Sequence, residues 1–306
     1  MFSFGLIIGL LIILVAILIA TLARPLNLNK NFYIKLCFIL LLLTVFSDLL
    51  SYLTSISILG FIGSFSFFFT FAFVILHSSK VLGNRKTAIF FIFAFLFGLL
   101  SEINSIQIGL FYYTIPTFFF GLVPFTIPFL WVIIIYLSYT LTNLFLFGFG
   151  GEKPKRTDKP WYLTGLILLT SSISGLIAVN LDMIADPVSV SPQAAQWVWI
   201  VGGPYFGIPI SNFIGWFLVT AGTVLIFRSY EAFETQPKDD PQLDTKLYLY
   251  IIIIYLIYFL FNAIKAFTLG KVEYTLIGTA TMVPFILIGL LALLFNRKNR
   301  IERFKP

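Results

Sequence analysis

Nine stretches of the chain contain about twenty mostly apolar residues each, the length that an α-helix needs to cross a lipid bilayer. They run from about residues 3 to 23, 32 to 53, 57 to 77, 87 to 104, 118 to 147, 161 to 181, 207 to 228, 246 to 269 and 275 to 296. The sequence therefore predicts an all-α, polytopic transmembrane helix bundle with nine spans. Eight spans are the alternative, because only Ser51 to Ser57 separates the second stretch from the third.

The composition excludes a water-soluble protein. Of the 306 residues, 59% are hydrophobic and 11% are charged, whereas a globular domain usually has about 25% charged residues. The single cysteine, Cys37, and the single histidine, His77, leave no internal disulfide, no cysteine metal cluster and no multi-histidine metal centre. We expect one integral membrane domain over residues 1–306, multi-pass in the cell membrane, with no metal.

The basic residues predict the orientation of the bundle. Of the 20 Lys and Arg residues, all except Lys265 and Lys271 fall in the odd-numbered connections or in the C-terminal tail. Positive residues concentrate in cytoplasmic loops, so the N-terminus is expected outside and the C-terminus inside. This asymmetry explains the net charge of +7 and indicates membrane lipid, and no nucleic acid, as the partner.

Five acidic residues lie in the spans or at their ends, where a carboxylate is costly and therefore suggests a function. Under the predicted topology all lie at the outer level: Asp48, Glu102, Asp182, Asp186 and Glu273. We expect at least two to line one pocket, and a solvated acidic rim is the alternative. The inner halves of the spans are expected to hold no matching acids.

Asp182 and Asp186 are four residues apart and would share one face of a continuous helix. Pro187 follows Asp186 directly. A proline disfavours helical geometry at the residue before it, so we expect Asp186 to point into the loop.

The outer connections after Glu102 and Asp182 are long, uncharged and aromatic. They contain Tyr112, Tyr113, Trp197, Trp199 and Tyr205 among Gly and Pro residues. Such segments suit a lid or a re-entrant loop. The alternative for each ring is the aromatic belt at the membrane interface.

Two stretches share an order of residues. In each, an acid is followed by Phe-Gly, by a Pro and by a Trp 29 or 30 residues after the acid. The members are Glu102, Phe120, Gly121, Pro124 and Trp131 in one stretch and Asp186, Phe206, Gly207, Pro209 and Trp216 in the other. The order indicates a duplicated helix-loop-helix unit or a chance recurrence of residues that are common at interfaces.

Three elements carry a resemblance to a known family: the Asp-Pro within Asp182 to Val188, the Trp197-Val198-Trp199 triplet, and the segment Gly203 to Trp216 with its Gly-x-Pro-x-x-Asn-x-x-Gly-Trp pattern. With them the chain resembles the carotenoid-biosynthesis membrane proteins, which include carotenoid hydratases such as bisanhydrobacterioruberin hydratase. A weaker match begins at Glu102, and its other residues are Gly109, Tyr113, Thr114, Pro124, Pro128 and Trp131.

The resemblance implies a hydro-lyase that hydrates the terminal alkene of an acyclic carotenoid. A proton added to one alkene carbon creates a tertiary carbocation on its neighbour, and water captures that cation. These steps need no metal or nucleotide cofactor. The implied partners are a lipophilic carotenoid among the Phe-rich spans and other carotenoid biosynthesis enzymes.

The expected catalytic residues are Asp186, Glu102, Asp182 and Asn212, with Asp48 as the alternative to Asp182. Asp186 or Glu102 donates the proton, the other acid orients water together with Asn212, and Asp182 or Asp48 tunes the pair. The expected substrate-binding residues are those with an aromatic ring near the acids, together with one further acid. They are Tyr113, Trp197, Trp199, Tyr205, Trp216 and Asp48.

Other functions stay open at this stage. A transporter or channel would use the outer carboxylates to bind a cation or relay protons. An assembly partner of other carotenoid enzymes would need no catalysis. An end-group cyclase would form the same carbocation without adding water.

Overall fold

The computed structural model describes residues 4–22, 29–51, 65–148, 159–234 and 245–303. The regular secondary structure of these residues is helical apart from one pair of short strands. The helices are α1 (Phe4–Leu22), α2 (Lys30–Ser51), α3 (Ser66–Val81), α4 (Asn84–Gln107), α5 (Thr126–Phe147), α6 (Pro160–Ser189), α7 (Ile210–Phe233), α8 (Thr245–Thr268) and α9 (Val272–Arg303). The strands are β1 (Phe111–Tyr113) and β2 (Trp197–Trp199). The predicted all-α class is confirmed.

Eight of these helices are long and apolar enough to cross a membrane, as in a multi-pass membrane protein. The exception, α3, is apolar but has only 16 residues, which rise about 24 Å against a hydrocarbon core of roughly 30 Å. The predicted third span, 57 to 77, overlaps α3, and its part before residue 65 lies outside the described residues. The other eight predicted spans are confirmed as helices of spanning length. The orientation stays a prediction.

The chain divides into two compact units, residues 1–91 and 92–306, which are described separately. In the first unit, α3 packs against both α1 and α2. Gly9 allows a close approach, because a Cβ there would lie 2.4 Å from the Phe68 ring. The Thr70 hydroxyl donates to the Thr44 hydroxyl at 3.3 Å. A single domain over the whole chain stays a prediction.

α6 is the central helix of the second unit, since it contacts α5, α7, α8 and α9. Two glycines bring neighbouring helices close to α6. A Cβ on Gly175 would lie 2.7 Å from the Phe217 ring of α7, and a Cβ on Gly278 of α9 would lie 2.5 Å from Ile184. Small residues at such contacts are typical of helix packing in membranes.

The two stretches with the same order of residues also have the same conformation. In each, a helix leads to a short strand, a Phe-Gly turn with positive φ at both residues, a Pro and a second helix. The φ angles are 55° and 69° at Phe120 and Gly121, and 52° and 85° at Phe206 and Gly207. This agreement favours a duplicated unit over chance. We call α4 to α5 the first repeat and α6 to α7 the second repeat.

α6 continues past Pro187 to Ser189, so the expectation that Asp186 leaves the helix is wrong. A proline has no N–H, and the carbonyl four residues earlier, that of Met183, therefore loses its helical partner. The Tyr205 hydroxyl donates to this carbonyl at 2.6 Å. Tyr205 thus supplies the hydrogen bond that Pro187 cannot make, and Asp186 stays on a buried face of the helix.

Three predicted boundaries also change. The fifth predicted span starts too early, because residues 118–125 include the Phe-Gly turn of the first repeat. α6 and α7 extend beyond their predicted ends at 181 and 228. The extension of α7 places Arg228 and Glu231 inside the helix as a buried ion pair with an N···O distance of 2.7 Å. The expected absence of acids from the inner halves is therefore wrong for Glu231.

Replacement of Tyr205 by Phe removes the donor to the Met183 carbonyl. We predict a loss of about 1 kcal/mol in the free energy of unfolding, the usual magnitude for one hydrogen bond. In a Pro187→Ala background the new N–H can bond this carbonyl, so the same change should cost less there. Chemical unfolding in detergent micelles measures the four forms, with the exposed Tyr162→Phe change as control. An equal cost in both backgrounds would contradict the assignment.

Candidate active site

Three carboxyl groups from two helices meet in the second unit. Asp182 and Asp186 lie one turn apart on α6, and Glu102 on α4 interacts electrostatically with both. Each aspartate has 2% of its surface exposed. The structure thus brings together three of the five acids that the sequence indicated.

One amide joins the two aspartates. Asn212, in the first turn of α7, donates from Nδ2 to Asp182 Oδ2 at 2.7 Å and to Asp186 Oδ2 at 2.8 Å. The two hydrogens of the amide nitrogen account for both bonds. α6 and α7 pack against each other, and this contact brings Asn212 to both aspartates.

The second oxygen of Asp186 faces β2. Nε1 of Trp197 donates to Asp186 Oδ1 at 2.9 Å, and Nε1 of Trp199 donates to it at 3.4 Å. Residues two apart on a strand point to the same face, so the Trp-x-Trp pattern directs two indoles to one carboxyl group. β2 pairs with β1 in an antiparallel ladder, in which Trp197 is opposite Tyr113.

Glu102 is also hydrogen-bonded through both oxygens. The Tyr113 hydroxyl donates to Oε2 at 2.7 Å, and Nε1 of Trp131 donates to Oε1 at 2.8 Å. Burial raises the pKa of Tyr113 well above its usual value, and the Glu102 carboxylate raises it further, so this hydroxyl stays protonated. Trp131 was not assigned to the site from sequence, although its spacing from Glu102 matched that of Trp216 from Asp186.

The acids of the two repeats are held in corresponding ways. Tyr113 follows Glu102 by 11 residues and donates to it, and Trp197 follows Asp186 by 11 residues and donates to it. The two donors face each other in the strand pair, with ring centroids 6.0 Å apart. Glu102 and Asp186 therefore occupy equivalent positions on the two sides of the ladder.

The repeats differ at the position four residues before each acid. Asp182 has this place in the second repeat, and Gly98 has it in the first. A Cβ on Gly98 would lie 2.5 Å from the Trp131 indole, so the glycine leaves room for Trp131 to reach Glu102. The first repeat therefore holds an indole beside its acid, whereas the second holds another carboxyl group.

Two predicted aromatic site residues lie near the cluster without bonding a carboxyl group. Trp216 lies against Trp131, with ring centroids 4.4 Å apart. Tyr205 bonds the main-chain carbonyl of α6 described above. Burial raises the pKa of Tyr205, and Asp182 and Asp186 raise it further, so its hydroxyl stays protonated as a donor.

The remaining two of the five acids are Asp48 and Glu273. Asp48 is half-buried on α2, in the first compact unit, so its contact with substrate stays a prediction. Glu273, in the first turn of α9, is 48% exposed and pairs with Lys271 at 3.8 Å. Glu273 thus belongs to the exposed surface and not to the carboxyl cluster.

Hydrogen bonding distinguishes the three clustered acids. Glu102 and Asp186 accept N–H or O–H groups at both carboxyl oxygens, which suits ionised carboxylates. Asp182 accepts at Oδ2, and no described residue donates to its Oδ1. Asp182 is therefore the acid with an oxygen free to carry a proton. Among the residues that the structure describes, no group of three or more His, Cys, Asp or Glu side chains is placed to hold a metal ion.

A cavity of about 400 Å³ lies beside the cluster, in the connection between α4 and α5. Tyr113, Thr114 and Thr117 are among its lining residues. Because Tyr113 also bonds Glu102, the cavity reaches a residue in direct contact with the cluster.

Comparison with known proteins assigns the chain to a family. A family model described as carotenoid biosynthesis protein matches residues 61–285, well over half of the chain. The chain belongs to this family. The match confirms the resemblance, supports a role in carotenoid biosynthesis and includes Glu102, Asp182, Asp186 and Asn212. No curated protein and no solved structure is significantly similar to the chain.

Replacement of Asn212 by Leu removes the donor that both aspartates share. We predict a loss of about 2 kcal/mol in the free energy of unfolding, because hydrogen bonds to charged groups contribute more than neutral ones. Chemical unfolding in detergent micelles provides the measurement. The control is Asn104→Leu, which changes an exposed asparagine of α4. Equal effects of the two changes would show that the amide bridge does not stabilise the cluster.

Proposed function

We propose that the protein is a carotenoid hydratase, a hydro-lyase that adds water to the terminal alkene of an acyclic carotenoid without a cofactor. Its family supports a role in carotenoid biosynthesis. The observation that carries the hydration step is the buried cluster in which one acid has a free oxygen and two are bonded as carboxylates. A proton donor beside a proton acceptor is what this addition requires.

Asp182 is the proposed proton donor. Sequence reasoning favoured Asp186 or Glu102, but both oxygens of each already accept hydrogen bonds. Two carboxyl groups joined by one amide in a buried site are most stable when they hold one proton between them. Oδ1 of Asp182 is the oxygen from which that proton can reach an alkene.

The proposed reaction converts an alkene and water into a tertiary alcohol. Asp182 protonates the alkene carbon that bears a hydrogen, and the π electrons form the new C–H bond. The adjacent carbon, which bears two methyl groups, becomes a carbocation that water attacks. Asp186 accepts the proton that water releases. Transfer of this proton to Asp182, one helical turn away, restores the site.

Negative charge and aromatic faces would stabilise the carbocation. One cation–π contact contributes about 0.5 to 2 kcal/mol, whereas a millionfold acceleration needs roughly 8 kcal/mol. The adjacent rings of Trp131 and Trp216 therefore assist. The fixed carboxylates of Glu102 and Asp186 contribute the larger share, since they are already oriented before charge develops.

The proposed substrate is a long apolar polyene that lies along the helices with its end group at the cluster. The apolar helices and the surrounding lipid solvate the chain, and this favours a location in the cell membrane beside other carotenoid enzymes. Water enters from the side of the α4–α5 connection, where the cavity borders Tyr113.

A cyclase and a transporter would use these residues differently. A cyclase would capture the same carbocation with an internal alkene. A transporter needs mobile or accessible charge along the bundle, but the buried Glu231 at the other end of α7 is bonded to Arg228 and Tyr139. Hydration is favoured because a donor and an acceptor lie within one helical turn of each other.

Expression in a host that accumulates acyclic carotenoids, followed by mass spectrometry of the pigments, tests the proposal. The wild-type protein should add one water per reacting end. Asp182→Asn should lower the rate by about a hundredfold or more, the usual contribution of general acid catalysis. Glu273→Gln changes an exposed acid outside the cluster and should leave the rate unchanged.

Three results would overturn the proposal in different ways. Full activity of Asp182→Asn would exclude this residue as the donor. A product of unchanged mass would indicate cyclisation. Unchanged pigment with several acyclic substrates would remove hydration as the function.

A further inference from the structure

A second buried polar cluster lies at the opposite end of α7 from the carboxyl site. Arg228 and Glu231 are 1% and 3% exposed, and Arg228 Nη1 donates to Glu231 Oε2 at 2.7 Å. The Tyr139 hydroxyl of α5 donates to the same oxygen at 2.7 Å. The proposed hydration step uses none of these groups.

Arg228 has one unused hydrogen-bonding edge. Its Nε and Nη2 are buried and have no partner among the described residues. These two N–H groups point the same way from the planar guanidinium, an arrangement that binds oxygen through two bonds. The guanidinium carbon lies over the rings of Tyr139 and Phe147, at 4.4 Å and 5.6 Å from their centroids, so neighbouring rings hold the group in place.

An acceptor without a partner lies on the face of α5 that also contains Tyr139 and Phe147. Asn143 is one turn after Tyr139 and one turn before Phe147, and it is 4% exposed. Its side chain lies near the Tyr139 hydroxyl, and its Oδ1 is buried with no partner in the described part of the chain. Asn143 therefore lies between the two residues whose rings the Arg228 guanidinium contacts.

The charges and the hydrogen-bonding groups together select a neutral hydroxyl. Glu231 already neutralises Arg228, so an anion would gain little net attraction, and the Asn143 oxygen would repel it. A hydroxyl satisfies both sides, since its oxygen accepts from the Arg228 edge and its hydrogen is donated to Asn143. We propose that Arg228 and Asn143 bind the hydroxyl at the already hydrated end of a carotenoid whose other end reacts at the carboxyl cluster.

The positions of the two sites suit one extended ligand. The rise from Asn212 to Arg228 along α7 is about 24 Å, comparable with the roughly 30 Å hydrocarbon core. Both sites adjoin the contact between α5 and α7, which includes Trp131 against Trp216 and, 5.5 Å apart, Tyr139 against Phe227. This inference rests on the proposed function and makes the half-hydrated intermediate the preferred substrate.

The experiment compares an acyclic carotenoid with its mono-hydroxylated derivative in detergent-solubilised protein. Quenching of tryptophan fluorescence measures binding, and mass spectrometry measures turnover separately. Wild-type protein should bind the hydroxylated compound about tenfold more tightly, the effect expected for one added hydrogen-bonded group.

Two variants assign that preference to the proposed site. Arg228→Lys keeps a positive charge beside Glu231 but removes the guanidinium edge, and Asn143→Leu removes the acceptor but keeps both members of the ion pair. Both should lose the tenfold preference and still hydrate the unhydroxylated substrate at the wild-type rate. The exposed Asn104→Leu change is the control for Asn143→Leu.

Several outcomes would overturn the inference. Equal binding of the two carotenoids to wild-type protein would show that no hydroxyl site exists for the substrate. If a variant changes the binding of both compounds equally and lowers the thermal stability, the site holds a fixed water molecule and not the hydroxyl of the substrate. If Arg228→Lys does not fold, Asn143→Leu decides the question. Preferential binding of the hydroxylated compound without hydration would refute the proposed function but support the hydroxyl site. Hydration without preferential binding would support the proposed function but refute the hydroxyl site.

Discussion

The placement of two buried aspartates and a half-buried glutamate among membrane helices is the constraint on which the second unit depends. A buried carboxylate without hydrogen bonds is costly, and here five side chains from four elements donate to the cluster. Three of these donors lie on the two short strands. The need to satisfy the acids thus accounts for a strand pair in an otherwise helical protein.

The two repeats form the frame of the site, and one difference between them supplies what the proposed chemistry needs. Glu102 and Asp186 have equivalent positions and equivalent donors, so the frame alone gives two bonded carboxylates. Asp182 has the position in the second repeat that Gly98 has in the first. It adds a third carboxyl group, and one of its oxygens is free. In the proposed reaction, this extra acid donates the proton and its neighbour accepts one.

Much of this arrangement could be predicted from the sequence. Apolar length indicated nine spans, and eight of them are helices of spanning length. The scarcity of acids in apolar segments indicated five acids, of which Glu102, Asp182 and Asp186 form the cluster. The family motif indicated Asn212 and the Trp-x-Trp triplet. The helical conformation at Pro187 could not be predicted from the neighbouring residues. The hydroxyl that replaces the missing hydrogen bond comes from Tyr205 in a later loop.

Two other features also depend on contacts between distant residues. The pairing of β1 with β2 joins segments on either side of two long helices, and such short strands leave little periodicity in the sequence. Arg228 and Glu231 resembled loop residues because charged side chains usually end a span. They are buried because they pair with each other and because Tyr139 bonds Glu231. Tyr139 is far away in the sequence, so no local pattern reveals this contact.

Incubation of purified protein with an acyclic carotenoid in water enriched in oxygen-18 tests most directly whether water captures a carbocation at the cluster. We predict one oxygen-18 atom per reacted end, on the carbon that bears two methyl groups, and almost none with Asp182→Asn. A wild-type product that lacks oxygen-18, or equal incorporation by Asp182→Asn, would contradict hydration by this acid.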